Sequence, residues 1–472
     1  MLKNKIIRAV LILLIIFSSL FFAYENLKAA QILELDTALE LALKNNRNLE
    51  AAKNKVIQAE KQSQAAKSIM NSKLFAESAW QSEELNQSGD FIASLNYQKL
   101  LAQSKGTKAI LEQAELELLI AKLIFDKNRE EVLHNLIKQY YAILSINEKI
   151  ASQKVIIEEA ESLYADAKAR YKDGLLTEAG LLELEINLDK SLEVLNSLKN
   201  EQQRSKEHLA RLTAYDGIDF EVRPPEKEFV LRETEEELLA KALNNRSDYL
   251  TQGLEREILK SEIEYLDSEK RANLNLRGEY LFADGRIEAT FNDNYQLSLK
   301  GSFDTIDKEL VDRDILQSQE AIKLVDNLSE ESEWKVTASI SYEFSDGGRK
   351  KAESEALAAA YNALHLKMED LEAEFKIEIK HLENKIREAE EKLLTAEKNL
   401  EKSRLEYQSS KNRFEQGAIN QSELTSSQRL FRESEDNKIK ADYNLSLTKL
   451  ELLAYLEIIY QENFAQQSGG DR

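Results

Sequence analysis

Along most of the chain, apolar residues recur at intervals of three and four, the period of a helix with one buried stripe. Leu133, Ile137, Tyr140 and Leu144 keep this spacing. Leu382, Ile386, Ala389, Leu393, Ala396 and Leu400 step by four and three in turn, a coiled-coil seam. No Gly or Pro interrupts the stretches between Gly106 and Gly174 or between Gly348 and Gly417. The pattern predicts uninterrupted helices over 106–173 and 349–416, each about 100 Å long at 1.5 Å per residue. Helices about half as long are predicted at 36–70, 175–213, 235–270 and 418–458. Two stretches switch to alternation. Leu274, Leu276, Gly278, Tyr280 and Phe282 lie opposite Asn273, Asn275, Arg277 and Glu279, and Val336, Ala338, Ile340, Tyr342 and Phe344 lie opposite Lys335, Thr337, Ser339 and Ser341. These predict strands at 272–282 and 335–344, each about the ten residues that cross a bilayer when tilted. Weaker alternation predicts strands at 73–80 and 91–98.

The pattern occurs twice. At an offset of 200, Leu39, Ala42, Leu43, Asn45 and Leu49 fall on Leu239, Ala242, Leu243, Asn245 and Tyr249. At an offset of 243, Arg170, Tyr171, Gly174, Leu176 and Leu181 fall on Arg413, Phe414, Gly417, Ile419 and Leu424. The chain reads as a tandem duplication, with repeats at 30–225 and 226–462 and a tail at 463–472. The two offsets differ by 43, so the second repeat carries that many extra residues, which fall in the loop 283–333. Asn294 to Phe303 could extend a hairpin there, and Glu309 to Asn327 reads as helical. Both prolines, Pro224 and Pro225, stand between the repeats, where helices must end.

Composition narrows the class. A chain of 472 residues with 14 Gly and 2 Pro suits long helices rather than a turn-rich enzyme. Without Cys it holds no disulfide, thiolate nucleophile or lipid-modified cysteine. A net charge of −21 argues against nucleic acid as a partner. Residues 1–29 stand apart: Lys3, Lys5 and Arg8 precede an apolar run from Ala9 to Phe22, with Ala23, Ala29 and Ala30 after it. This reads as a secretory signal peptide, the run being short for a membrane span.

Catalytic chemistry finds no support. His134, His208, His365 and His381 are never three or four apart, so no helix presents a paired-histidine metal site. Gly347-Gly348 lacks phosphate-loop spacing and reads as a strand-to-helix turn. No enzyme, cofactor or metal is expected. The two Trp, Trp80 and Trp334, sit at strand ends, with Phe91 and Tyr280 in the equivalent places. Four aromatics at one level match the girdle of a membrane interface.

Several of these segments resemble the TolC family of outer-membrane efflux factors. The helix from Leu35 to Leu49 and its copy from Leu238 to Tyr249 resemble the family's repeat start. Trp334, Val336, Phe344, Asp346, Gly347 and Gly348 resemble its strand-to-helix passage, and Arg170 to Leu182 and Arg413 to Leu424 its turn. The sequence departs where Asn46-Arg47 and Arg246-Ser247 replace Asn-Pro. The resemblance implies a homotrimer in which four strands per chain form a 12-stranded outer-membrane β-barrel and the antiparallel helices a long periplasmic tunnel. It implies the export channel of a tripartite efflux or type I secretion system, working with a periplasmic adaptor and an inner-membrane pump. Four strands cannot close a barrel alone, so a cyclic oligomer also follows from the physics of a sheet in lipid. A non-transporting periplasmic coiled-coil scaffold or adaptor-like interaction protein is the alternative; it would need no lipid-facing alternation or aromatic girdle. At the helical turns, Gly174, Leu175, Leu176, Gly417, Ala418 and Ile419 are the expected partner-binding tip, since exposed apolar tips call for a docking partner. Asp173, Glu178, Glu415 and Glu423 are the candidate gate carboxylates, which in a trimer would form rings favouring cations.

Overall fold

The computed structural model describes residues 31–81, 90–225, 233–268, 272–282, 285–303, 333–416 and 418–464. The expected signal peptide, the helical reading of Glu309 to Asn327, Gly417 and the end of the tail lie outside the described residues. In chain order the elements are β1 (Gln31–Ile32), α1 (Leu35–Asn45), α2 (Arg47–Lys67), β2 (Lys73–Gln81), β3 (Asp90–Leu100), α3 (Lys105–Lys172), α4 (Glu178–Thr213) and β4 (Phe220–Glu221). There follow α5 (Glu235–Asn245), α6 (Ser247–Ser268), β5 (Ala272–Phe282), β6 (Gly285–Asn292), β7 (Gln296–Phe303), β8 (Glu333–Tyr342), α7 (Arg349–Glu415), α8 (Gln421–Tyr455) and α9 (Ile459–Phe464). The chain divides into two compact units, one of residues up to 52 with 125–247 and 372 onward, the other of 53–124 with 248–371.

The first unit is helical. Leu133, Leu136, Ile137, Tyr140 and Ile143 present one buried stripe of α3, joined in the core by Leu39, Leu209, Phe220, Phe375, Ile379 and Leu450. Tyr140 is fully buried and its hydroxyl has a specific use. It donates to the Arg223 carbonyl at 2.8 Å, with the Leu33 carbonyl at 3.0 Å, and accepts from the Arg223 N–H at 3.2 Å. One side chain of α3 thus holds both segments beside the parallel β1–β4 pair. Burial pushes its phenol up to about 12.

Two expectations about the helices need correction. The helices predicted at 36–70 and 235–270 are each broken once, at Asn46 and Arg246, where the backbone is extended. The physical reason is capping. The Asn46 side chain accepts from the N–H groups of Asn48 (2.9 Å) and Leu49 (3.4 Å), which starts α2 afresh. In the second repeat the cap comes from far along the chain. Glu457 accepts from the N–H of Ser247 at 2.9 Å and from its hydroxyl at 3.0 Å. Arg246 lies 4.4 Å from the Phe375 ring centre and 4.2 Å from that of Tyr455. Both departures from Asn-Pro are therefore built into caps.

The second unit contains a six-stranded sheet in the order β2-β3-β7-β6-β5-β8, every neighbouring pair antiparallel. Against the four strands per chain expected, the sheet holds six. The additional pair β6–β7 comes from the front of the segment read as an outer loop, so 283–333 is not all loop. Its residues alternate: Ile287, Ala289 and Phe291 share one face of β6, Leu297, Leu299 and Phe303 one face of β7. Such alternation suits a sheet with two unlike sides, and the hairpin joins the existing sheet rather than projecting beyond it.

Candidate functional site: a two-faced sheet and two helical turns

The register makes each face of the sheet continuous. One row crosses all six strands as Leu74, Tyr97, Leu299, Ala289, Gly278 and Val336. The adjacent row on the opposite face is Phe75, Asn96, Lys300, Glu288, Glu279 and Lys335. On the apolar face large side chains stand open: Trp334, Val336 and Ile340 are 78%, 79% and 73% exposed. On the other face four central charges are paired. Arg277 lies 2.8 Å from Glu288 and 3.7 Å from Glu279, and Arg286 lies 3.8 Å from Glu279 and 3.3 Å from the Ser302 hydroxyl. Placing Arg or Lys toward lipid at mid-bilayer costs about 2–4 kcal/mol per residue. Confining these charges to one face leaves the other compatible with hydrocarbon.

The four aromatics named from the sequence meet in pairs in the register, Trp80 opposite Phe91 and Tyr280 opposite Trp334. The Tyr280 and Trp334 ring centres are 4.8 Å apart. A second aromatic group went unnoticed in the sequence. At the opposite end of β8, Tyr342 and Phe344 pack edge to face at 4.9 Å, and Phe344 is 85% exposed. Trp334 and Tyr342 are eight residues apart, about 27 Å along a strand, which at a tilt of about 40° frames an apolar band about 21 Å high, close to a barrel's lipid belt.

At the first turn, Gly174 takes a left-handed backbone (φ 69°) and the Leu175 N–H donates to the Arg170 carbonyl at 2.8 Å, closing α3. Thr177 caps α4 by accepting from the Gly180 N–H at 3.2 Å. Leu175 is 77% exposed, Leu176 is half-buried, and Asp173 and Glu178 are exposed. At the second turn the Ala418 N–H donates to the Arg413 carbonyl at 2.8 Å, and Asn420 caps α8 by accepting from the Glu423 N–H at 2.9 Å. Ala418 and Glu423 are exposed and Ile419 is half-buried, while Glu415 is the last residue of α7. The candidate positions therefore flank two turns that share the same closing hydrogen bond, from the N–H of Leu175 or Ala418 to the carbonyl five residues earlier. The Arg170 guanidinium lies 5.3 Å from the Phe414 ring centre.

The sequence reading also missed a polar cluster set back from the turns. Glu159 on α3 accepts through one carboxylate oxygen from the Tyr407 hydroxyl of α7 (2.9 Å) and the Gln428 amide of α8 (2.9 Å). Ser152 on α3 donates to Glu435 of α8 at 2.9 Å. Burial lowers the Arg432 guanidinium, against the opposing attraction of Glu159, Tyr407 and Glu435. Burial, with the Glu159 charge beside it, raises the Tyr407 phenol. Three helices from the two repeats thus share one charged hydrogen-bond centre. Among the described residues no His, Asp and Glu group has the arrangement to hold a metal ion, and no helix is long and apolar enough to cross a membrane.

Residues 310–456 match the family model described as outer membrane efflux protein. No curated protein sequence matches the chain. Among solved structures, the outer membrane protein VceC of Vibrio cholerae is similar at 14% identity, over 90% of this chain and 96% of that one, with a TM-score of 0.67. CusC is similar at 13% identity, over 89% and 91%, with a TM-score of 0.69. The open-state MtrE outer membrane channel of Neisseria gonorrhoeae is similar at 12% identity, over 90% and 88%, with a TM-score of 0.67. Likeness at this identity speaks for the fold.

Proposed function

We propose, from a chain that carries an outer membrane efflux protein domain on the TolC-like channel fold, that this protein is a passive export conduit. Three copies form a channel through the outer membrane and into the periplasm. A periplasmic adaptor docks at the turns around Gly174 and Ala418 and connects the channel to an inner-membrane pump. The chain supplies a path and a gate, and the pump supplies the work. The observation that carries this reading is the sheet, in which one face carries an apolar row across six strands and the other face holds the paired charges of β5 and β6. A scaffold that only braces other proteins has no use for such a wall, because in water the exposed Trp334, Val336 and Ile340 would be a liability.

The gate follows from the cluster around Glu159. Widening the tunnel at the turns requires the α7–α8 hairpin to leave α3, and the bonds from Tyr407 and Gln428 to Glu159 are those that must break. Planar-bilayer recordings of the purified oligomer test the function. The expected result is a low resting conductance that rises when the Glu159 contacts are removed. A folded oligomer that inserts but never conducts, with the gate contacts intact or removed, would refute the conduit.

A further inference from the structure

The hairpin β6–β7 occupies the middle of the sheet. β7 pairs with β3 from Ala93↔Phe303 to Leu100↔Gln296, and β6 pairs with β5 from Asn275↔Asn292 to Phe282↔Gly285. No direct β3–β5 pairing is present, since the hairpin stands between them. It also continues both faces: Leu297, Leu299, Ile287 and Phe291 extend the apolar side, while Arg286 and Glu288 supply the partners of Glu279 and Arg277 on the charged side. An external loop would need neither match.

Within the six-stranded sheet, as far as the described residues go, β2 and β8 are the two strands paired on one side alone. They are nine and ten residues long, and six strands that alternate in direction leave these two edges running opposite ways. Open edges are not viable in lipid, where each backbone polar group needs a partner. A second copy of this chain is the occupant that fits. Its β2 offers β8 an antiparallel edge with the apolar and polar faces already on matching sides. This is a head-to-tail contact, which closes as a ring.

We infer that the outer-membrane barrel of this channel has eighteen strands, six from each of three copies, with β6–β7 part of its wall and β8 of each copy paired to β2 of the next. The inference rests on the trimeric channel reading above. At a strand spacing of about 4.8 Å and a tilt of about 40°, eighteen strands give a backbone radius of about 18 Å, against about 12 Å for twelve. The cross-section is then about twofold larger, and the lumen carries a band of paired charges, Arg277, Glu279, Arg286 and Glu288, repeated three times.

Spin labels measure this directly, because the chain has no Cys of its own. The full chain carrying Val336→Cys, on a strand that belongs to the wall whether the hairpin does or not, is purified in detergent and its copy number is fixed by native mass spectrometry. Three labels on a ring lie about 1.7 radii apart, so backbone separations of about 31 Å are expected for eighteen strands and about 21 Å for twelve. A trimer at the longer distance supports the wider barrel. A trimer at the shorter distance overturns it and leaves the channel reading standing. A species that is not a trimer overturns the channel reading itself. As a second measurement, labels at Leu297, Ser298, Leu299 and Lys300 in liposomes should alternate between oxygen and aqueous-nickel accessibility. Uniform aqueous accessibility would place the hairpin outside the wall and refute the inference even where the distances are long.

Discussion

Replacing Tyr407 with Phe tests the gate at its most exposed assumption, that a few bonds to Glu159 hold the turns together. The substitution removes one oxygen and keeps the ring, which stacks on Phe431 at 5.7 Å. What is lost is the 2.9 Å bond to a half-buried carboxylate. A hydrogen bond to a charged group contributes about 1.5–3 kcal/mol, and this one is made only while α7 lies against α3. Opening should become easier by about 10- to 100-fold per subunit, since 1.4 kcal/mol is a factor of ten. Glu159 keeps its bond from Gln428, so the closed state is weakened rather than abolished. Single-channel recording reads the open fraction, and Tyr164→Phe on α3 serves as the control. Glu159→Gln should act in the same direction, and the double variant should do less than the product of the two singles because they share one bond. An unchanged open fraction in a folded trimer would refute the latch, and fully multiplicative effects would show that Tyr407 and Glu159 act separately.

Glu130 is 4% exposed, and burial raises its carboxyl to about 7 despite the N–H of Tyr460 at 3.1 Å and the nearby Arg129. The folded state therefore holds a proton that the unfolded chain releases near 4.5, so this contribution is full below that pH and is lost as pH rises through 7. Thermal melts should fall between pH 5 and pH 8 by an amount of up to about 3 kcal/mol, and Glu130→Gln should flatten that slope. A slope unchanged in the variant would assign it to other groups. Tyr140→Phe leaves the buried Leu33 carbonyl and the part-buried Arg223 carbonyl without their shared donor and should cost about 1–3 kcal/mol in a denaturant melt; a loss below about 0.5 kcal/mol would mean that β1 and β4 are held by other contacts. Glu415→Gln with Glu423→Gln should reduce cation preference in reversal-potential measurements, and an unaltered potential would remove these residues from the ion path.

Much of this architecture was legible because it is local. The run 107–173, without Gly or Pro, can be read as one long helix, and alternation around Leu276 or Val336 as a strand, without knowing what lies beside it. The break at Asn46 was also local, since an Asn can cap the residues that follow it, but the apolar period continued through and hid it. The equivalent break at Arg246 depends on Glu457, about two hundred residues away. The alternation of β7 was visible, as the possible hairpin after Asn294 shows. Its partner was not, because nothing within Leu297 to Phe303 specifies β3 as the neighbour. The cluster around Glu159 was hidden for a related reason. In a chain with 85 acidic residues no single Glu stands out, and Glu159 meets Tyr407 and Gln428 only through the fold.

On the trimeric channel reading proposed above, the same distinction explains where this chain can vary. A hairpin can be added to the wall because an antiparallel sheet accepts two strands without reversing either edge: β2 and β8 still run opposite ways, and the next copy still fits. A single added strand would leave the edges parallel and the ring unable to close in the same manner. Insertions into the wall therefore come in pairs, and each must carry both an apolar and a polar face. The helices allow less freedom. The turns that end α3 and α7 lie about the same number of residues along each helix, and lengthening one alone would carry Tyr407 away from Glu159. Width can thus change at the membrane while the gate stays in register.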